Sequence, residues 1–208
     1  MIRLPVKAIV FDLDGTLYVS ERFDQVVWAS AARYAGELLG QPAAVGGCEL
    51  NALRQRLSEE RGTLQTMAVA IEAMGGTVPE LHRRFAEELD PQPFIEPDPR
   101  VLPLIEALGQ RYTSWLLTNN NRTLTDKILG TLGLEAAFER VITINDTWRP
   151  KPDEAVLDEL LEALGCRPAE VLFVGDRYDI DLRLPEDRGC PVLLTTTIDD
   201  LMALTALL

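Results

Sequence analysis

The sequence predicts an α/β fold: an open parallel sheet of about five strands, interrupted early by an α-helical insert. Three observations predict it. Five short apolar runs lack alternation, as strands buried on both faces do: Ala8–Phe11, Trp115–Leu117, Val141–Ile144, Val171–Val174 and Val192–Leu194. Helical patterns lie between the last four runs, the order of strand and crossover helix. Between the first and second runs no strand pattern occurs.

Taken in order, the first run ends at Asp12, where the chain leaves the interior. Ser20 can cap a first insert helix running to Leu39. Further helices are predicted over Glu49–Glu60, Leu64–Met74 and Pro79–Leu89, punctuated by Gly75, Gly76 and Pro79. The segment "PQPFIEPDP", with prolines at 91, 93, 97 and 99, reads as a stiff linker back to the sheet. The expected organisation is a core of residues 1–18 and 98–208 and an insert of residues 19–97. Beyond the second strand, Thr123–Leu134 carries Leu124, Ile128, Leu129 and Leu132 at helical spacing and stops at Gly133. Asp153–Leu164 repeats the pattern with Val156, Leu157, Leu160 and Leu161 and stops at Gly165.

Composition narrows the function. Against 20 basic residues stand 33 acidic ones, a net charge of −13 that disfavours a nucleic-acid surface. No run reaches the ~20 apolar residues of a membrane span, and the N-terminus lacks a signal-peptide pattern. Neither nucleic acid nor membrane is expected as a partner. Cys48, Cys166 and Cys190 are scattered without a CxxC pair, which suits a reducing, cytoplasmic setting and small buried hydrophobes. The single histidine, His82, disfavours Ser-His-Asp hydrolysis and histidine zinc sites. It is expected, like Trp28, to pack or to face solvent.

The chemistry gathers at strand ends. In "KAIVFDLDGTLY" two acids, Asp12 and Asp14, stand two residues apart where a buried strand leaves the core. Like charges that close call for something positive between them: a metal ion, a phosphate site, or both. Ligands of open parallel sheets bind at the carboxyl ends of the strands. This brings Asp12, Asp14, Thr118, Asn119 and Asp176 to one edge. Lys151 is restricted by Pro150 and Pro152 on either side. "VGDRYDID" places Asp176, Asp179 and Asp181 in one loop.

Four segments in this order resemble the motifs of the haloacid dehalogenase-like hydrolase superfamily, in its phosphatase branch with a helical cap inserted after the first motif. They are "DLDGT" at 12–16, "LLTN" at 116–119, Lys151 within "RPKPD", and "GDRYDID" at 175–181. The resemblance covers the predicted core and implies a Rossmann-like sheet. It implies Mg²⁺-dependent hydrolysis of a small phosphomonoester through an aspartyl phosphate. Asp12 would be the nucleophile. Asp14 would protonate the leaving alcohol and then activate water. Lys151 would neutralise the crowded negative charge, and Thr118 and the backbone at Asn119 would grip phosphate oxygens. The ion would be held by Asp12, the backbone carbonyl of Asp14, and Asp176. Asp181 would orient a metal-bound water, with Asp179 a second candidate. Mg²⁺ takes oxygen ligands, which is what these residues offer.

Two departures stand out. Arg177 follows the "GD" where many relatives carry a small hydroxyl residue; it could contact substrate, pair with Asp179 or face solvent. Pro185 shortens or kinks the helix that follows. Dehalogenases lack the second acid, so Asp14 points to phosphoryl transfer. A sugar-phosphate mutase with the same motifs is the nearest alternative. A non-enzymatic phospho-aspartate regulator is more remote, since such receiver domains lack both the insert and the second acid. The expected substrate is a small phosphorylated metabolite: a sugar phosphate, a phosphoglycolate-like acid or a nucleotide. Insert cations Arg22, Arg54, Arg56 and Arg61 are candidates to reach it.

Overall fold

A computed structural model describes residues 5–208; the first four residues of the expected core lie outside the described residues. Strand β1 (Ala8–Phe11) is buried along its whole length, which is why its sequence does not alternate. The insert follows as four helices: α1 (Glu21–Leu39), α2 (Ala43–Arg61), α3 (Met67–Ala73) and α4 (Val78–Glu88). Ser20 caps α1 by accepting from the Phe23 N–H, and Thr66 and Thr77 do the same for α3 and α4. Helix α2 begins earlier than its periodicity predicts. Its first turns carry Gly46, which meets Gly36 of α1 so closely that a Cβ would lie 2.1 Å from the Gly36 nitrogen. Small residues let the two helices approach at these first turns, and further along α2 Leu50 is fully buried in the apolar core.

The Pro-rich return segment is packed, not free. Ile95 is buried, the Phe94 ring lies 6.4 Å from that of Phe23, and Ser20 Oγ donates to the Phe94 carbonyl at 2.7 Å. The two ends of the insert are thereby tied together. Helix α5 (Val101–Gly109) follows, an element the sequence reading did not anticipate. Its Pro103 sits in the first turn, where no intrahelical N–H is required.

The remaining sheet alternates with helices: β2 (Thr113–Leu117), α6 (Arg122–Leu132), β3 (Arg140–Ile142), α7 (Ile144–Thr147), α8 (Glu154–Leu164), β4 (Val171–Gly175), α9 (Arg183–Asp187), β5 (Val192–Leu194), α10 (Ile198–Met202) and α11 (Leu204–Leu207). Gly133 and Gly165 close α6 and α8 in the left-handed conformation, as their positions predict. The third strand is shorter than expected, because Thr143 and Asp146 form a capping box that starts α7 and takes Ile144 out of the sheet. Between β4 and α9 lies a π-helical turn, Tyr178–Leu182, and α9 has only five residues, in keeping with Pro185.

All strands run parallel in the order β3-β2-β1-β4-β5. The chain builds outward on one side of β1, then returns to build on the other. The switch lies between β1 and β4, where ligands of open sheets bind. Among the described residues no helix is long and apolar enough to cross a membrane. Cys190 is buried as predicted, but Cys166 is only half-buried and Cys48 is exposed on α2, whose small-residue face, not its cysteine, meets α1.

Candidate active site

Asp12 is the first residue beyond β1 and is 4 % exposed. Lys151 reaches it from the loop before α8: Nζ lies 2.5 Å from Asp12 Oδ1 and 2.8 Å from Asp181 Oδ1, and donates to the Leu117 carbonyl at 2.8 Å. This loop is pinned by Asn119, whose side chain accepts from the Lys151 N–H at 2.7 Å and donates to its carbonyl at 3.3 Å. The Asn119 side chain therefore orients the lysine, and only its backbone remains for a ligand. Thr118, buried at the end of β2, accepts from the Asn120 N–H at 3.1 Å.

Asp14 points elsewhere. Tyr18 donates to its Oδ1 at 2.5 Å and Asn120 Nδ2 to its Oδ2 at 2.7 Å. Burial and the Asp14 charge hold the Tyr18 phenol well above its ordinary range, so it stays a donor. Thr16 approaches the other oxygen of Asp12 at 3.4 Å. Sequence reasoning gave no role to Tyr18, Asn120 or Thr16. The signal available was position alone: Tyr18 lies four residues after Asp14, and Asn120 follows the strand-end pair Thr118–Asn119.

Two glycines allow the acids to converge. Gly15 adopts φ 79°, and a Cβ there would lie 2.4 Å from Asp176 Oδ2. At Gly175 a Cβ would lie 2.6 Å from Asp181 Cβ. Asp12, Asp176 and Asp181 consequently offer one oxygen each within 4.8 Å of one another. Asp179 does not join them. It turns to the insert, accepting from the Leu64 N–H at 3.1 Å and pairing with Arg183 at 2.6 Å. Arg177 does not pair with Asp179; its Nε lies 3.5 Å from Asp176 Oδ1 and 3.7 Å from Asp181 Oδ2.

The electrostatics follow from burial and crowding. Burial, reinforced by Asp181, lifts Asp12 to about 7 although Lys151 opposes it. Burial also lifts Asp176 to about 6. Burial acts the same way on Asp181, but Lys151 and Arg177 outweigh it and hold that carboxyl low. Burial alone would lower the Lys151 pKa; Asp12 and Asp181 outweigh that and raise it, so Lys151 remains a cation. His82, the only histidine, takes no part: it is 6 % exposed, edge-on to Phe85 at 5.6 Å.

The sequence profile of haloacid dehalogenase-like hydrolases matches residues 6–184. The chain belongs to this family. Among curated relatives it is 31% identical to the pyrophosphatase PpaX of Bacillus velezensis over 98 residues, 47% of this chain and 45% of that protein. The match thus spans less than half of PpaX. It is 24% identical to the glyceraldehyde 3-phosphate phosphatase of Methanopyrus kandleri, over 86% of this chain and 78% of that one. It is 26% identical to the phosphoglycolate phosphatase of Thiobacillus denitrificans, over 91% and 82%. A solved HAD phosphatase from Thermococcus onnurineus superposes with a TM-score of 0.59 at 22% identity, covering 91% of this chain and 86% of that one. A 2-haloacid dehalogenase from Pseudomonas syringae gives 0.57 at 22%, with the same coverage. Phosphatase and dehalogenase superpose equally well, so the haloacid dehalogenase-like fold alone does not select the reaction; the residues at the sheet edge must.

Proposed function

We propose that this hydrolase is a Mg²⁺-dependent phosphatase of small phosphomonoesters, working through an aspartyl phosphate on Asp12. The observation that carries the reading is the division between the two acids after β1. Asp12 is buried against a cation, while Asp14 is held apart by Tyr18 and Asn120, with no cation bonded to it among the described residues. One environment suits a nucleophile; the other suits a group that exchanges protons. The names of the curated relatives, phosphatases and a pyrophosphatase, support the same class.

The donor set fits Mg²⁺. Asp12, Asp176 and Asp181 supply oxygen only, and Asp176 Oδ1 is buried without a hydrogen-bond partner among the described residues. Asp12, Asp176 and the Asp14 carbonyl would hold the ion, with Asp181 beside them. When bound, it neutralises charge building on the phosphoryl oxygens.

Asp12 attacks phosphorus; the bond from phosphorus to the alcohol oxygen breaks, and Asp14 gives its proton to that oxygen. Asp14, now a carboxylate, takes a proton from water as the water oxygen attacks phosphorus. The bond to Asp12 then breaks and inorganic phosphate leaves. Lys151 stays charged beside Asp12 throughout. The expected substrate is small because the insert reaches this edge through the Leu64–Asp179 contact; the insert itself carries a cavity of about 430 Å³ lined by Asp24, Val27, Trp28, Arg54 and Met67. Of the four insert arginines singled out from the sequence, Arg54 lines this cavity, stacked 5.6 Å from the Trp28 ring centre.

The test is phosphate release from a panel of phosphomonoesters, with Mg²⁺ or a chelator, alongside Asp12→Asn. Release should require Mg²⁺ and fall by roughly a thousandfold or more in the variant. Undiminished turnover by Asp12→Asn would sink the mechanism. Isomerisation of a sugar phosphate without release would assign the mutase reaction instead.

A further inference from the structure

Arg177 stands at the end of β4, directly after Asp176, and lays its guanidinium against the acidic cluster. Its Nε is 3.5 Å from Asp176 Oδ1 and 3.7 Å from Asp181 Oδ2. Neither contact is a hydrogen bond. The one hydrogen bond Arg177 donates among the described residues runs from its backbone N–H to Asp181 Oδ2, at 3.1 Å. The side-chain donors are uncommitted, yet the charge faces four carboxylates, those of Asp181, Asp12, Asp176 and Asp14. Lys151 differs: its ammonium is fixed by two carboxylates and a carbonyl. The oxygen nearest the Arg177 Nε, Asp176 Oδ1, is also the buried one without a hydrogen-bond partner.

We propose that Arg177 sets the Mg²⁺ affinity of this site by competing with the ion for the Asp176 and Asp181 carboxylates. The inference rests on the metal-dependent reading above and adds to it a residue that loosens the metal. The physical reason is Coulombic. A fixed unit charge beside the ligand oxygens opposes the arrival of a divalent cation, and the half-exposed side chain is screened by water without being silenced. Guanidinium keeps its charge at any working pH, so the competition cannot be relieved by deprotonation. It can be relieved only if the side chain swings toward solvent, and its lack of side-chain hydrogen bonds permits that.

The test is calorimetric titration of Mg²⁺ into the metal-free full chain. Wild type is compared with Arg177→Gln, Arg177→Lys and Asp176→Asn, each checked for folding by thermal unfolding. Wild type should bind and Asp176→Asn should not. Arg177→Gln should bind roughly tenfold more tightly than wild type, and Arg177→Lys should resemble wild type. The gain should shrink as KCl rises from about 0.05 to 0.5 M. A folded Arg177→Gln that binds Mg²⁺ no more tightly than wild type overturns the proposal while leaving the phosphatase reading intact, provided Asp176→Asn has lost the ion. A gain shared by Arg177→Lys and insensitive to salt also overturns it, because the side chain would then act through shape. Absence of binding in wild type and Arg177→Gln alike removes the metal reading and this inference together.

Discussion

At the scale of single residues, the site depends on positions where a side chain is missing as much as on those where one is present. Gly15 combines a positive φ with a Cβ position already filled by Asp176. Gly15→Ala should therefore cost about 1–3 kcal/mol and weaken Mg²⁺ binding, read by chemical denaturation and by metal titration. The "DLDGT" run made Gly15 visible as a turn residue, but its collision with Asp176 is a contact between segments far apart in sequence. The same holds for Asn119. Its backbone is the expected phosphate contact, while its side chain, to which the sequence pattern gives no role, holds the backbone of Lys151. His82 gives a pH prediction. Burial pushes its pKa to about 4, against 6.5 for a free imidazole. The folded protein then binds fewer protons than the unfolded chain between these values, so stability present above pH 6.5 is lost as pH falls toward 4. The loss reaches ~3 kcal/mol. Replacing His82 with Leu should flatten the acid limb of a plot of unfolding free energy against pH.

At the scale of elements, the connection after β4 decides which acids meet. Asp179 and Asp181 both follow "GD" within one loop, and sequence spacing leaves both as candidates for the metal edge. The π-helical turn over Tyr178–Leu182 sends Asp181 to Lys151 and Asp179 to the insert. Asp179→Ala should leave Mg²⁺ affinity unchanged and speed hydrogen exchange at the Leu64 amide, whereas Asp181→Ala should lower Mg²⁺ affinity. Asn121 joins two elements. It caps α6 through the Leu124 N–H at 2.9 Å and donates to the His82 carbonyl of α4 at 3.0 Å. Asn121→Ala should cost about 2 kcal/mol, because a buried cap and a buried carbonyl both lose their partner. Lys127 adds a second tie, donating to the Ala86 and Leu89 carbonyls at the end of α4. The α-helices with capping residues and terminal glycines were the most legible elements. Helix α5 and the early turns of α2 were not, since one carries a proline and the other glycines whose roles come from their neighbours.

At the scale of the whole molecule, the insert shares its apolar core with the sheet. One contiguous cluster includes Phe11, Leu116 and Leu124 of the sheet layers together with Phe23, Leu50, Ile71 and Phe85 of the insert. Residues 19–97 are set apart by the chain's path, while their burial is common with the rest. Unfolding followed by calorimetry and by tryptophan fluorescence should therefore give one coincident transition. Two separated transitions would show that the insert folds independently.

The five strands, their parallel order of burial and the chemistry available at their ends were written in local patterns: apolar runs without alternation, helix stops, and acids where strands leave the core. Such signals need only neighbours along the chain, because periodicity, capping and turn preferences act over a few residues. The site itself needed more. Asp12, Lys151, Asp176 and Asp181 meet only because β1 and β4 are adjacent and two glycines leave room between their loops. The contacts of Arg177 and Asp179 were decided there as well. Charge and packing at that edge depend on distances through space, and sequence separation carries no measure of those.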